Sequence, residues 1–165
     1  MFTIENLDEI RNKKGFICDM DGVIYHGNRL LPGVKEFVEW LYKEDKKFLF
    51  LTNSSDRSPR DLQQKLQRMG LDIDETHFYT SAQATARFLN SQSPGCSAYV
   101  MGEAGLMNAL YEVGITMNDS TPDYVVIGEP KSYNYEMIIK AVKLIQNGAK
   151  LVATNSDLTG PTENG

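Results

Sequence analysis

Short runs rich in β-branched and aromatic residues alternate along the chain with stretches whose apolar positions recur at helical spacing. That alternation predicts βαβ units around a mainly parallel sheet, an α/β fold. Gly15 to Asp19 reads as a buried strand. Pro32 and Gly33 then open a helix with Val34, Phe37, Val38 and Leu41 along one face. Lys47 to Thr52 is a second strand. Ser58-Pro59 followed by Asp61 supplies a capping hydroxyl, a proline at the first helical position and an acid in the first turn. Leu62, Leu66 and Met69 form that helix's stripe, and Gly70 ends it. Phe78-Tyr79-Thr80 is a short third strand, and Ser81 is placed to cap a helix running to about Asn90.

Ser91-Gln92-Ser93-Pro94-Gly95 is the one stretch with linker composition, which divides the chain into residues 1–91 and 92–165. The pattern then restarts. Strands are expected at Ala98–Met101, Tyr124–Ile127 and Lys150–Ala153, and helices at Glu103–Val113 and Tyr133–Asn147, closed by Gly114 and Gly148. From Thr154 onward the pattern is that of a loop, so the second unit reads as incomplete.

With 165 residues the chain has room for one ordinary domain, or a small one and part of another. A net charge of −5 argues against a nucleic-acid backbone or an anionic membrane as main partner, since both call for clustered Lys and Arg. Cys18 and Cys96 sit in apolar runs without metal-ligand spacing and read as small buried hydrophobes. The first residues lack the basic and apolar regions of a signal peptide, and no run approaches the roughly 18 apolar residues of a membrane span. The expected compartment is the cytoplasm.

The chemistry gathers at two strand ends. Asp19 closes an apolar strand, and ligands of open α/β sheets bind outside the carboxyl ends of strands. Asp21 follows, and Gly22 lets the chain turn so that both acids face one crevice. Two carboxylates so close repel unless a cation or a shared proton separates them. Phosphoryl transfer gives them work: one attacks phosphorus, the other protonates the leaving oxygen and later activates water. A hard divalent cation, Mg²⁺ by preference, would offset the phosphate charge. Backbone amides of Met20 and Asp21 are placed to point at phosphate oxygens. The competing reading is a simple Asp-Gly turn. Thr52-Asn53-Ser54-Ser55 leaves the second strand at the same sheet edge if the strands are parallel neighbours, offering a hydroxyl and amides to an anion; taken alone, Thr52 and Asn53 also fit a turn or cap.

Phe16-Ile17-Cys18-Asp19-Met20-Asp21-Gly22-Val23 resembles the first motif of haloacid dehalogenase-like phosphatases, and Leu51-Thr52-Asn53 the second. Leu31-Pro32-Gly33, Phe78-Tyr79-Thr80-Ser81-Ala82, Tyr99-Val100-Met101-Gly102-Glu103, Pro122 to Gly128 and Ala153 to Asp157 narrow the resemblance to the NagD-like, p-nitrophenylphosphatase-like subfamily. The resemblance implies a Rossmann-like parallel-sheet core with an inserted α/β cap, both incomplete: part of the core in 1–91 and part of the cap in 92–165. It implies Asp19 as nucleophile and Asp21 as general acid/base. The Asp19 carboxylate and Asp21 carbonyl become ligands for Mg²⁺, and Thr52 and Asn53 bind phosphate. Asn155 and Asp157 either face the site from the cap or only cap a turn. The implied substrate is a small phosphorylated metabolite, a nucleotide or sugar phosphate. A homodimer stays open, as does transfer of the phosphoryl group to an acceptor other than water.

Two family motifs, a lysine and a later acidic cluster, have no counterpart. Lys131 and Lys150 fall in cap segments, Lys46 and Lys47 precede the second strand, and Glu163 sits in a terminal loop. The chain thus resembles about the first three-fifths of such an enzyme, and the alternative to an active phosphatase is a phosphate-binding fragment. A phospho-accepting receiver domain fits less well, because its acidic pair belongs on an earlier strand. His26 and His77 read as surface residues, and Gly102-Glu103-Ala104-Gly105 as a tight turn, not a dinucleotide loop.

Overall fold

The computed structural model describes residues 7–157. A short helix α1 (Leu7–Arg11) precedes strand β1 (Gly15–Asp19), after which a small antiparallel ribbon, β2 (Tyr25–His26) and β3 (Arg29–Leu30), carries the chain to helix α2 (Val34–Lys43). Strand β4 (Lys47–Thr52), helix α3 (Pro59–Arg68), strand β5 (Phe78–Thr80) and helix α4 (Ser81–Gln92) follow. The first sheet has the order β1-β4-β5 and is parallel throughout; Asp19 pairs with Leu51, and Thr52 with Thr80. All three strands therefore finish at one edge.

A second parallel sheet is built from β6 (Ser97–Met101), α5 (Ala104–Glu112), β7 (Thr116–Met117), β8 (Tyr124–Ile127), α6 (Tyr135–Gln146) and β9 (Lys150–Ala153), with strand order β7-β6-β8-β9. The expected strands and helices fall where the periodicity puts them, within the one or two residues by which helix ends vary. The β2–β3 ribbon, β7 and α1 are additions too short to leave a periodic signal.

Local chemistry explains the helix starts. Ser58 caps α3 in a capping box with Asp61, with Pro59 at the first position. Thr80, not Ser81, caps α4: its hydroxyl accepts from the Gln83 amide while the Gln83 side chain accepts from the Thr80 amide. Ser81 is the first helical residue, and its hydroxyl donates to the Asn53 carbonyl at 2.6 Å, tying α4 to the loop after β4. The last turn of α4 reaches Gln92 and so takes in part of the stretch with linker composition.

The apolar core has two main bodies. Met20, Ile24, Val38, Leu41, Phe50, Leu62, Leu66 and Ile73 fill the first between the β1-β4-β5 sheet, α2 and α3. Ala82, Ala86 and Leu89 of α4 pack into the second with Ala98, Leu106, Leu110, Ile115 and Val126. Burying each of the larger side chains contributes about 1.5–3 kcal/mol. His77, expected at the surface, is half-buried and stacks on Phe48 with ring centroids 3.9 Å apart, its Nδ1 lying 3.0 Å from the Phe48 carbonyl. Its short 3-10 turn folds it back against β4, which sequence spacing does not show.

The two sheets meet through the loop that follows β4. Gly105 of α5 lies so close to it that a Cβ there would stand 2.6 Å from the Arg57 carbonyl carbon, and the Gly105 amide donates to the Asp56 carbonyl at 3.3 Å. Alanine gains about 1 kcal/mol over glycine inside a helix, but displacing backbone in a packed site costs about 3 kcal/mol. Gly105→Ala is therefore expected to lower stability by about 2 kcal/mol, read as a lower urea midpoint with an unchanged slope; an equal or higher midpoint would show that this contact is not tight.

Candidate active site

Gly22, at φ +77, turns the chain immediately after Asp21, and the turn is closed by the Met20 carbonyl, which accepts from the Ile24 amide at 2.8 Å. Met20 is fully buried beneath it. Its side chain anchors the turn in the core. The Gly22 amide donates to the Tyr25 carbonyl at 2.8 Å, and the Tyr25 hydroxyl lies 3.4 Å from Asp21 Oδ2, a long contact. Asp19 is exposed at the end of β1, next to Leu51 in register. Asp21 is half-buried.

Burial pushes the Asp21 carboxyl above the ordinary aspartate range. The Lys65 charge and the Tyr25 hydroxyl pull it part of the way back, and Asp19 and Asp56 push it up. The Tyr25 phenol is raised by its own burial and then by the Asp21 charge, so it stays a proton donor at neutral pH.

Thr52 is buried at the end of β4, and its hydroxyl oxygen accepts from the Ser54 amide at 3.1 Å. A threonine hydroxyl still has its own proton to donate. Asn53 is exposed; its Nδ2 donates to Asp157 Oδ2 at 2.8 Å. Asn155 Oδ1 accepts from the Asp157 amide at 2.9 Å, and Asn155 Nδ2 donates to Glu129 Oε1 at 3.1 Å. Asp157 thus reaches the first sheet's loop, whereas Asn155 braces its own unit.

A cavity of about 160 Å³ is lined by Asp21, Tyr25, Thr52, Ser54, Asp56, Arg57, Leu62 and Lys65. Asp19, Met20 and Asn53 are not among its lining residues. Tyr25, Asp56, Arg57 and Lys65 were not singled out from sequence. Lys65 alone had a usable signal: it sits beside Leu62 and Leu66 on the inward side of α3. Its ammonium lies over the Tyr25 ring, 3.6 Å from the centroid. Arg57 Nε is 3.6 Å from Asp56 Oδ2. Ser54 Oγ contacts Asp56 Oδ1 at 2.8 Å and Glu129 Oε2 at 3.0 Å. His26 is exposed, away from the cavity lining.

Two parallel strands thus bring an acidic pair and a threonine to one sheet edge, beside a second α/β unit. The chain belongs to the haloacid dehalogenase-like hydrolases, whose family model matches residues 16–116. It is 43% identical over 150 residues to dihydroxyacetone phosphatase of Corynebacterium glutamicum, covering 91% of this chain and 54% of that protein. It is 42% identical to the ribonucleotide monophosphatase NagD of Escherichia coli K12, covering 89% of this chain and 58% of NagD. The solved structure of that NagD superposes with a TM-score of 0.83 over the same shares. A glycerol phosphate phosphatase from Mycobacterium tuberculosis, solved in complex with magnesium, superposes at 0.84 with 29% identity, covering 92% of this chain and 46% of that one. The chain thus spans about half the length of the relatives it matches.

The raised Asp21 carboxyl has a consequence for stability. Below about pH 4 it is protonated in folded and unfolded chains alike and costs nothing. As the pH rises, the unfolded chain ionises first, so the folded state loses ground, and the whole cost is present above the raised folded value. In metal-free buffer, Asp21→Asn is expected to melt above the wild type at pH 7, the two curves converging near about pH 3. A lower melting temperature for the variant at pH 7 would contradict the burial cost.

Proposed function

We propose that the protein to which this chain belongs is a Mg²⁺-dependent phosphomonoester hydrolase of small phosphorylated metabolites, working through an aspartyl-phosphate on Asp19. The observation that carries this is the convergence of Asp19, Asp21 and Thr52 at the carboxyl edge of adjacent parallel strands. The relatives are named dihydroxyacetone phosphatase and ribonucleotide monophosphatase, which supports the substrate class.

In this reading an Asp19 carboxylate oxygen attacks phosphorus while Asp21 gives its proton to the departing alkoxide. Asp21 then takes a proton from water as that water attacks the phosphorus of the aspartyl-phosphate, returning free Asp19 and inorganic phosphate. The raised Asp21 carboxyl suits the first step, because it is the member of the pair biased toward holding a proton. The Met20 and Asp21 amides and the Thr52 hydroxyl are the donors for phosphate oxygens, and the Asn53 amide adds to them.

The donors fit a hard cation. The Asp19 carboxylate and the Asp21 carbonyl are oxygen ligands, and Mg²⁺ is commonly held by one or two carboxylates together with substrate phosphate and water. Bound there, it would neutralise phosphate charge. Among the described residues no group of three His, Cys, Asp or Glu side chains gathers as a metal site. The magnesium in the solved glycerol phosphate phosphatase supports this choice of ion.

Residues 1–91 as the core portion and 92–165 as the cap portion belong to the same reading, with α4 leaving the first sheet and burying its inner face in the second unit. So does cytoplasmic residence; among the described residues no helix is long and apolar enough to cross a membrane. A narrower reading, that the 165 residues alone hold phosphate without turnover, is favoured because no third acidic side chain joins Asp19 and Asp21 among the described residues.

In the whole protein, Asp19→Asn is expected to lower p-nitrophenyl phosphate turnover by on the order of 1000-fold, as loss of a nucleophile does, with an unchanged circular dichroism spectrum. Chelation should abolish wild-type turnover and Mg²⁺ restore it. Substantial turnover by Asp19→Asn, or indifference to chelator, would overturn the mechanism. Turnover by the purified 165 residues would remove the narrower reading.

A further inference from the structure

Tyr25 has a place in the site that the acidic pair and the threonine do not explain. It opens the β2–β3 ribbon opposite Leu30, where the chain comes back to the turn that carries Asp21. The Gly22 amide donates to the Tyr25 carbonyl at 2.8 Å, and the Tyr25 amide donates to the Met20 carbonyl at 3.3 Å. Both backbone polar groups of Tyr25 are thus tied to that turn. The residue is 2% exposed, with the Lys65 ammonium over its ring, so the phenol has no path to solvent. A buried phenol hydroxyl takes a polar partner, and this one faces Asp21 Oδ2 at 3.4 Å. Tyr25 and Asp21 line the same cavity as Thr52.

The contact is long, so what it supplies is direction. The terminal torsion of an aspartate side chain is broad and two-fold, and a carboxyl group that turns at will presents its proton to a leaving oxygen only part of the time. A phenol donating to Oδ2 makes that atom the carbonyl oxygen of the protonated acid, which puts the acidic hydrogen on the other oxygen. We propose that Tyr25 is a positioning residue: its buried hydroxyl holds Asp21 Oδ2 and so fixes the rotation of the carboxyl group that protonates the departing alkoxide. The assignment rests on the phosphatase reading of the site. As the bond from phosphorus to the leaving oxygen breaks, that oxygen keeps the electron pair and takes the carboxyl proton. The phenol keeps its own hydrogen throughout, and it steadies the same carboxylate when water later gives a proton to it.

The test is turnover by the whole protein of two substrates that differ in leaving group. p-Nitrophenolate departs readily without a proton, whereas the phenolate of phenyl phosphate, of nearly the same shape, depends more on a general acid. Tyr25→Phe removes one oxygen and keeps both the buried ring and an aromatic face for Lys65. It is expected to lower kcat/KM for both substrates, and about tenfold further for phenyl phosphate than for p-nitrophenyl phosphate. A loosened core alone would lower the two alike. Equal losses on the two substrates, or no loss on phenyl phosphate, would overturn the assignment and leave the phosphatase reading standing. That reading fails separately, on turnover by Asp19→Asn or on absence of wild-type turnover, and the assignment falls with it.

Discussion

The arrangement hangs on Ser55. Its hydroxyl is fully buried where the carboxyl ends of the two sheets meet, accepting from the Glu129 amide at 3.3 Å and from the Thr154 hydroxyl at 3.1 Å. Glu129 follows β8 and Thr154 follows β9, so one side chain from the loop after β4 joins the second sheet at two strands. Leaving such a group unsatisfied costs about 1–3 kcal/mol. The close approach needs small residues opposite. A Cβ at Gly128 would stand 2.9 Å from the Ser55 oxygen, and one at Gly105 would enter the backbone of Arg57. The same loop carries Thr52 and Asn53 on one side of Ser55 and Asp56 and Arg57 on the other. The docking of the two units and the geometry of the site are therefore one constraint.

That docking brings carboxylates together, and donors are shared among them. The Ser54 hydroxyl has one proton but reaches both Asp56 and Glu129, so it serves one at a time. The Asn53 amide has two protons. Asp157 takes one, which leaves the other for a phosphate oxygen, so the contact between the units and phosphate binding are compatible at Asn53. This makes Asn53 a link between the two units, and in the proposed reaction a phosphate-binding group as well. An anion bound there shares its donor with a second-sheet carboxylate, and like charge keeps the two apart unless a cation stands nearby.

How much could be read from the chain follows from how local each signal is. Strands β1, β4, β5, β8 and β9 end where the apolar runs end, the first polar residue marking the exit, although β1 and β9 bury no residue fully. Asp19, Asp21, Thr52 and Asn53 were legible for that reason. Thr80 and Ser81 are adjacent hydroxyls, and only the capping box with Gln83 tells which one caps. Lys65 and Tyr25 meet through the packing of α3 on the turn after β1, and no local pattern reports a contact between residues so far apart in sequence. Glu129 and Ser54 are hidden likewise. The fold was written in periodicity, whereas the electrostatics of the site were written in tertiary contacts.

Asp19 and Asp21 differ in how firmly the described residues hold them. Asp21 sits in a turn pinned by buried Met20, Tyr25 and the positive φ of Gly22. Asp19 ends β1, which pairs only with β4 among the described residues, and Ile17 on that strand is 71% exposed. Parallel strands are ordinarily buried on both faces and flanked on both sides. The matched stretch covers 54% of the dihydroxyacetone phosphatase and 58% of NagD, so both relatives extend well beyond it. Attack on phosphorus tolerates little error in the position of the nucleophile. Under the proposed mechanism, the described residues therefore hold the acid/base more firmly than the nucleophile.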